Sequence, residues 1–114
     1  MSYRILVTPP AEVRVLEAGI WWLENRPKAP ELFDEELARA FDFLSAAPHS
    51  GIQLRGRRRG LRRIVLHGSR YYVYYRVNEA VSVVEIVSVW HTSKGKGPPL
   101  QAVGRQRRQE AREN

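Results

Sequence analysis

Six arginines crowd residues 55–63 (Arg55, Arg57, Arg58, Arg59, Arg62 and Arg63), and no Asp or Glu between Gly51 and Asn78 neutralises them. Guanidinium groups at that density attract phosphates or an acidic polypeptide far better than a neutral metabolite. Other reactive side chains follow at close spacing. Tyr71, Tyr72, Tyr74 and Tyr75 have rings that can stack on nucleobases, and His91, beside Trp90, is either an acid–base group or a cap on the last strand. Lys94 and Lys96 add charge just beyond. The stretch Ser93-Lys94-Gly95-Lys96-Gly97 imitates a phosphate loop only superficially, since it lacks the G-x-x-x-x-G-K-[ST] spacing and no helix signature follows. Nucleotide binding of that kind is excluded.

The elements that must position these groups are legible in the hydrophobic periodicity. Tyr3 to Val7 reads as a strand that stops at Thr8-Pro9-Pro10. Thr8 is placed to cap the helix that follows, where proline in the first turn loses no needed N–H. Val13, Leu16, Ile20 and Leu23 recur at helical spacing and form the apolar side of that helix, which ends near Pro27. Trp21 and Trp22 are adjacent, so they cannot both face one core, and one must be exposed or covered by a partner. A second helix begins near Pro30 and ends before Pro48, with Glu31, Asp34, Glu35 and Glu36 complementing the positive end of its dipole. Its buried stripe is Phe33, Leu37, Ala40, Phe41 and Leu44. The two helices, joined by about four residues, make an antiparallel αα-hairpin.

Three strands follow the arginine loop: Arg62–Leu66, Arg70–Val77 and Val81–Trp90, separated by hairpin-length turns at Gly68-Ser69 and Asn78-Glu79. The middle strand puts Tyr71, Val73, Tyr75 and Val77 on one face and Arg70, Tyr72, Tyr74 and Arg76 on the other. Tyr71 and Tyr75 are expected in the core, Tyr72 and Tyr74 half-buried under a partner. The last strand is apolar on both faces except for Glu85, as a central strand would be. If buried, that carboxylate needs Arg76 or Arg63 beside it. The expected fold is therefore α+β, a mainly antiparallel four-stranded sheet in the order β-α-α-β-β-β with the helical hairpin on one face.

At 114 residues the chain is one domain, and its charge of +7 is polarised. Residues 1–50 hold eight acids and five bases, a net of −3; residues 51–114 hold four acids and fourteen bases, a net of +10. Residues 1–100 read as the folded domain, and 101–114 as a polar basic tail expected to be flexible. Cysteine is absent, which excludes disulfides and thiolate metal sites and suits a reducing cytoplasm. No stretch is apolar enough for a signal peptide or a membrane span. No cofactor or metal is expected.

This order of elements resembles the RelE/ParE toxin superfamily of type II toxin–antitoxin systems over residues 3–92. The resemblance is carried by Pro48 and Gly51 after helix two, by Leu54-Arg55-Gly56, by Tyr74-Tyr75-Arg76-Val77 and by Val87-Ser88-Val89-Trp90-His91. RelE-like members cut messenger RNA on the ribosome, whereas ParE-like members poison DNA gyrase. Against the nuclease pattern, Arg63 matches a basic position. Val65, Tyr72 and Thr92 stand where further charges belong, and His91 lacks a following tyrosine. The comparison implies the ParE-like branch: a non-enzymatic toxin acting on gyrase and neutralised by a cognate antitoxin. The target surface would be Arg57, Arg58, Arg59, Arg62, Arg63, Trp90, His91, Lys94 and Lys96, and the antitoxin surface Trp21, Trp22, Tyr72, Tyr74 and Arg76. The alternatives are a ribosome-dependent endoribonuclease using Arg62, Arg63 and His91, and a degenerate, harmless antitoxin-binding partner.

Overall fold

The computed structural model describes residues 2–95, 97 and 98; Lys96 and the tail 101–114 lie outside them. The elements are β1 (Arg4–Val7), α1 (Pro9–Asn25), α2 (Leu32–Ala46), β2 (Ile52–Gln53), β3 (Arg62–Leu66), β4 (Tyr71–Asn78) and β5 (Val83–His91). The class is α+β, as the periodicity predicts, with one more strand than expected. The five strands are ordered β1-β5-β4-β3-β2 in a mixed sheet. β1 runs parallel to β5, with Arg4 opposite Val83, and the remaining pairs are antiparallel. The extra strand, β2, is two residues that pair with Arg63 and Arg62, too short to show a period of its own.

β5 lies between β1 and β4 and is buried from Val83 to Val89. That placement explains its apolar character on both faces. One face, with Tyr71, Val73, Tyr75, Val84, Ile86 and Val89, packs under the helices through Ala11, Ala18, Trp22, Phe33, Leu37, Ala40 and Leu44. The opposite face carries a smaller core of Tyr74 and Val87, closed by Leu54, Leu61, Tyr72 and Trp90. Glu85 sits opposite Arg76, with 3.5 Å between Oε1 and Nε, which supplies the partner its burial demands.

Two expectations are corrected. Thr8 occupies the N-cap position of α1 but makes no capping bond; its Oγ1 donates instead to the Ile86 carbonyl at 2.9 Å, tying the helix start to β5. The apolar side of α1 is also not its buried side. Val13, Leu16, Ile20 and Leu23 are between 53% and 67% exposed, while Ala11, Ala18 and Trp22 face the core. Two alanines on that face let the helix lie close to the sheet.

Candidate functional site

The arginine run is split by the fold into three settings. Gly56 and Gly60 take left-handed φ values of 65° and 92°, which side chains rarely adopt, and they fold residues 55–60 into a tight loop around one 3-10 turn. Arg55, Arg57 and Arg59 project from it, exposed, and none of them forms an ion pair among the described residues. Arg58 is half-buried and donates to the Pro98 carbonyl at 3.1 Å, which anchors the loop to the segment after β5. Arg62 is also structural: its Nη1 donates to the carbonyls of His49 and Gly51 at 3.1 and 3.0 Å. Arg63 lies over the Tyr72 ring at 4.2 Å, a cation–π contact.

The second group gathers where β5 ends against α1. Trp90 carries Lys94 at 4.7 Å and Arg14 at 5.5 Å from its ring. His91 packs edge-on to Tyr71 at 5.0 Å and lies 6.0 Å from the Trp21 ring. Its Nδ1 accepts the Ser93 backbone N–H at 3.2 Å, with Ser93 Oγ 2.7 Å away. Burial holds its pKa below the usual histidine value, reinforced by the charges of Lys94 and Arg26. A backbone N–H can only donate, so Nδ1 is the acceptor and the neutral ring carries its proton on Nε2.

Arg62, Arg63 and His91 are not brought together. Arg63 pairs with Tyr74 on the outer face, whereas His91 pairs with Tyr71 on the helix face. Arg62 lies in register with Tyr75 and Ile86, five residues back along β5 and two strands across from His91. At about 3.3 Å per residue and about 4.8 Å between strands, the two are roughly 19 Å apart. No single phosphodiester spans them.

The residues predicted to face a partner divide in the same way. Trp21 is exposed and Tyr72 half-buried. Trp22 and Tyr74 are corrected: Trp22 is 5% exposed, its indole N–H given to the Ala29 carbonyl at 2.6 Å, and Tyr74 is 1% exposed. Tyr74 is covered because the loop carrying Leu54 and Leu61 folds over the outer face, so no partner is needed to bury it. Arg76 is committed to Glu85. The outer stripe of α1 is exposed and apolar at Val13, Leu16, Ile20 and Leu23, flanked by exposed Glu12, Glu17 and Glu24. A polar cluster also went unforeseen. Glu79 accepts from the Tyr3 hydroxyl at 2.9 Å and contacts His49, and these bonds lower its pKa. Its members are too distant in sequence to form a motif. Among the described residues no group of His, Asp or Glu could hold a metal, and no helix is long and apolar enough to cross a membrane.

The family described as the ParE toxin of the type II toxin–antitoxin system parDE matches residues 5–95. Among solved structures, the toxin–antitoxin complex RelBE2 from Mycobacterium tuberculosis is similar with a TM-score of 0.61 and 22% identity, covering 80% of this chain and 99% of that one. A double mutant of the E. coli toxin RelE in the free state gives 0.57 and 20%, covering 94% and 98%. The YoeB/ParE toxin from Agrobacterium tumefaciens gives 0.55 and 13%, covering 77% and 96%. These likenesses show a shared fold. No protein of curated function matches the chain.

Proposed function

The chain belongs to the ParE toxin family of type II toxin–antitoxin systems, and from that premise we propose that it arrests growth by acting on gyrase–DNA in the cytoplasm, without catalysing a reaction itself. The observation that carries this reading is the state of the arginines. Arg55, Arg57 and Arg59 stand exposed on a folded loop with no carboxylate paired to them among the described residues. A fixed cluster of that kind attracts a polyanion by releasing its counterions. Hydrolysis of RNA would need a base, a cation and an acid around one phosphate. Here the candidates for those roles lie apart, and the imidazole nitrogen that could accept a proton is already taken by Ser93.

Neutralisation falls to a cognate antitoxin seated on the outer stripe of α1. Four large apolar side chains on one exposed helix face are a docking surface for an amphipathic segment. The acidic flanks of the stripe suit a segment with basic edges.

The test is induction of the toxin without its antitoxin, with gyrase-dependent DNA breaks and transcript cleavage read in parallel. Breaks with intact transcripts are expected. Cleaved transcripts without breaks would instead identify a ribosome-dependent nuclease, and unhindered growth a toxin that has lost its activity.

A further inference from the structure

A cavity of about 370 Å³ lies between α1 and the end of β5. Trp21, Tyr71 and Trp90 form its walls. Lys94 and Arg14 are held at its mouth over the Trp90 ring, which positions both cations without neutralising them. Glu17, the one carboxylate lining the cavity, is bonded to Arg14 at 3.3 Å, so Lys94 is left as the available cation. His91 presents Nε2–H, a donor with no partner among the described residues, because Ser93 fixes the opposite nitrogen as an acceptor.

Donor, cation and aromatic wall together match one nucleotide unit: a phosphodiester oxygen for the first two, a base for the third. We propose that this cavity binds a nucleotide of a single-stranded nucleic acid, with its phosphate on His91 Nε2–H and Lys94 and its base against Trp21. The inference rests on the reading that the chain works at nucleic acid, and it assigns His91 to binding. An acidic peptide could use the cations but has no use for the aromatic wall.

The full-length chain, freed of antitoxin, is titrated with a short oligothymidylate, its abasic counterpart, an oligouridylate and an oligoglutamate peptide, following tryptophan fluorescence and anisotropy. Oligothymidylate is expected to bind at least about tenfold more tightly than the abasic strand, with quenching of Trp21. Oligouridylate reports whether the 2′-hydroxyl is read. His91→Phe and Lys94→Glu should each weaken oligothymidylate binding about tenfold or more, whereas His91→Gln, whose amide places a donor near Nε2, should stay within about threefold. Trp21→Leu should erase the difference between the base-bearing and abasic strands. Equal binding of those two strands by the parent chain, or indifference to His91→Phe and Lys94→Glu, would overturn the proposal, as would preference for oligoglutamate. The double variant Arg57→Ala, Arg59→Ala separates the two readings. If it alone abolishes binding, the cavity proposal falls and the loop reading stands; if neither set of variants changes binding, both fall.

Discussion

The Tyr75 hydroxyl accepts the buried amide N–H of Gly51 at 2.8 Å, joining the centre of β4 to the chain that leads into the arginine loop. The contact leaves no room for a side chain: a Cβ at residue 51 would lie 2.5 Å from that hydroxyl and 2.8 Å from the Arg63 carbonyl. Gly51→Ala should therefore destabilise the fold by about 1–3 kcal/mol through overpacking. Tyr75→Phe keeps the ring but strands a buried N–H, at a cost of about 1–3 kcal/mol. Urea unfolding of both variants checks this. A melt like the parent's for Gly51→Ala would show that the loop moves aside freely.

Glu36 of α2 holds the β3–β4 turn by accepting the N–H groups of Gly68 and Ser69, each at 2.7 Å. Burial alone would raise its pKa, but those bonds and the nearby Arg39 outweigh it and the net shift is downward. A carboxylate with a folded pKa below its unfolded one contributes stability that is present above pH 4.5 and is lost as pH falls through the folded value. Amide shifts of Gly68 and Ser69 should titrate together, with a midpoint below 4.5. Glu36→Gln, which keeps a single acceptor oxygen, should cost about 1–2 kcal/mol at neutral pH and remove that titration.

The outer stripe of α1 makes affinity and stability separable. Leu16→Lys and Ile20→Lys alter side chains that are 67% and 57% exposed, so the melting free energy should change by no more than about 0.5 kcal/mol. Antitoxin affinity should fall by about 2 kcal/mol or more, roughly thirtyfold, if these are central anchors. Trp22→Ala should do the reverse, destabilising the chain by about 3–5 kcal/mol because the indole is buried. Paired calorimetry and antitoxin titration read both effects. An unchanged affinity for the two lysine variants would move the antitoxin to another face.

These contrasts show which features the sequence carries. Helical spacing at residues 13, 16, 20 and 23 identifies α1 correctly, yet it does not say which side meets the sheet. Periodicity registers apolar residues, while close packing on β5 favours the small side chains of Ala11 and Ala18. Alternation in β4 correctly separates Tyr71 and Tyr75 from Tyr72 and Tyr74, but the cover over Tyr74 comes from a loop without periodicity. The need of Glu85 for a basic partner was legible because a buried charge demands one, and of the two candidates, Arg76 and Arg63, the structure pairs it with Arg76 across the hairpin. The parallel pairing of β1 with β5 and the bond of Tyr3 to Glu79 join segments more than 70 residues apart, beyond the reach of local pattern. The arginine run was visible as charge, but its division into exposed and structural members depends on backbone carbonyls at His49, Gly51 and Pro98.

That division yields the last prediction. Arg57 and Arg59 are exposed, whereas Arg58 is held by the Pro98 carbonyl and Arg62 by two further carbonyls. If the exposed pair meets phosphates, replacing both by alanine should flatten the salt dependence of duplex DNA binding. The slope of log affinity against log salt would fall by up to about 1.8, given about 0.9 per phosphate contact. The melting temperature should hardly move, since neither side chain is packed. Arg58→Ala should behave differently, destabilising the loop by about 1 kcal/mol through loss of its bond to Pro98. Fluorescence anisotropy on a labelled duplex across a salt series, beside thermal melts, measures both quantities. A slope unchanged in the double variant would mean that the exposed arginines do not contact duplex phosphates, and the charge of the loop would then have to serve a protein surface instead.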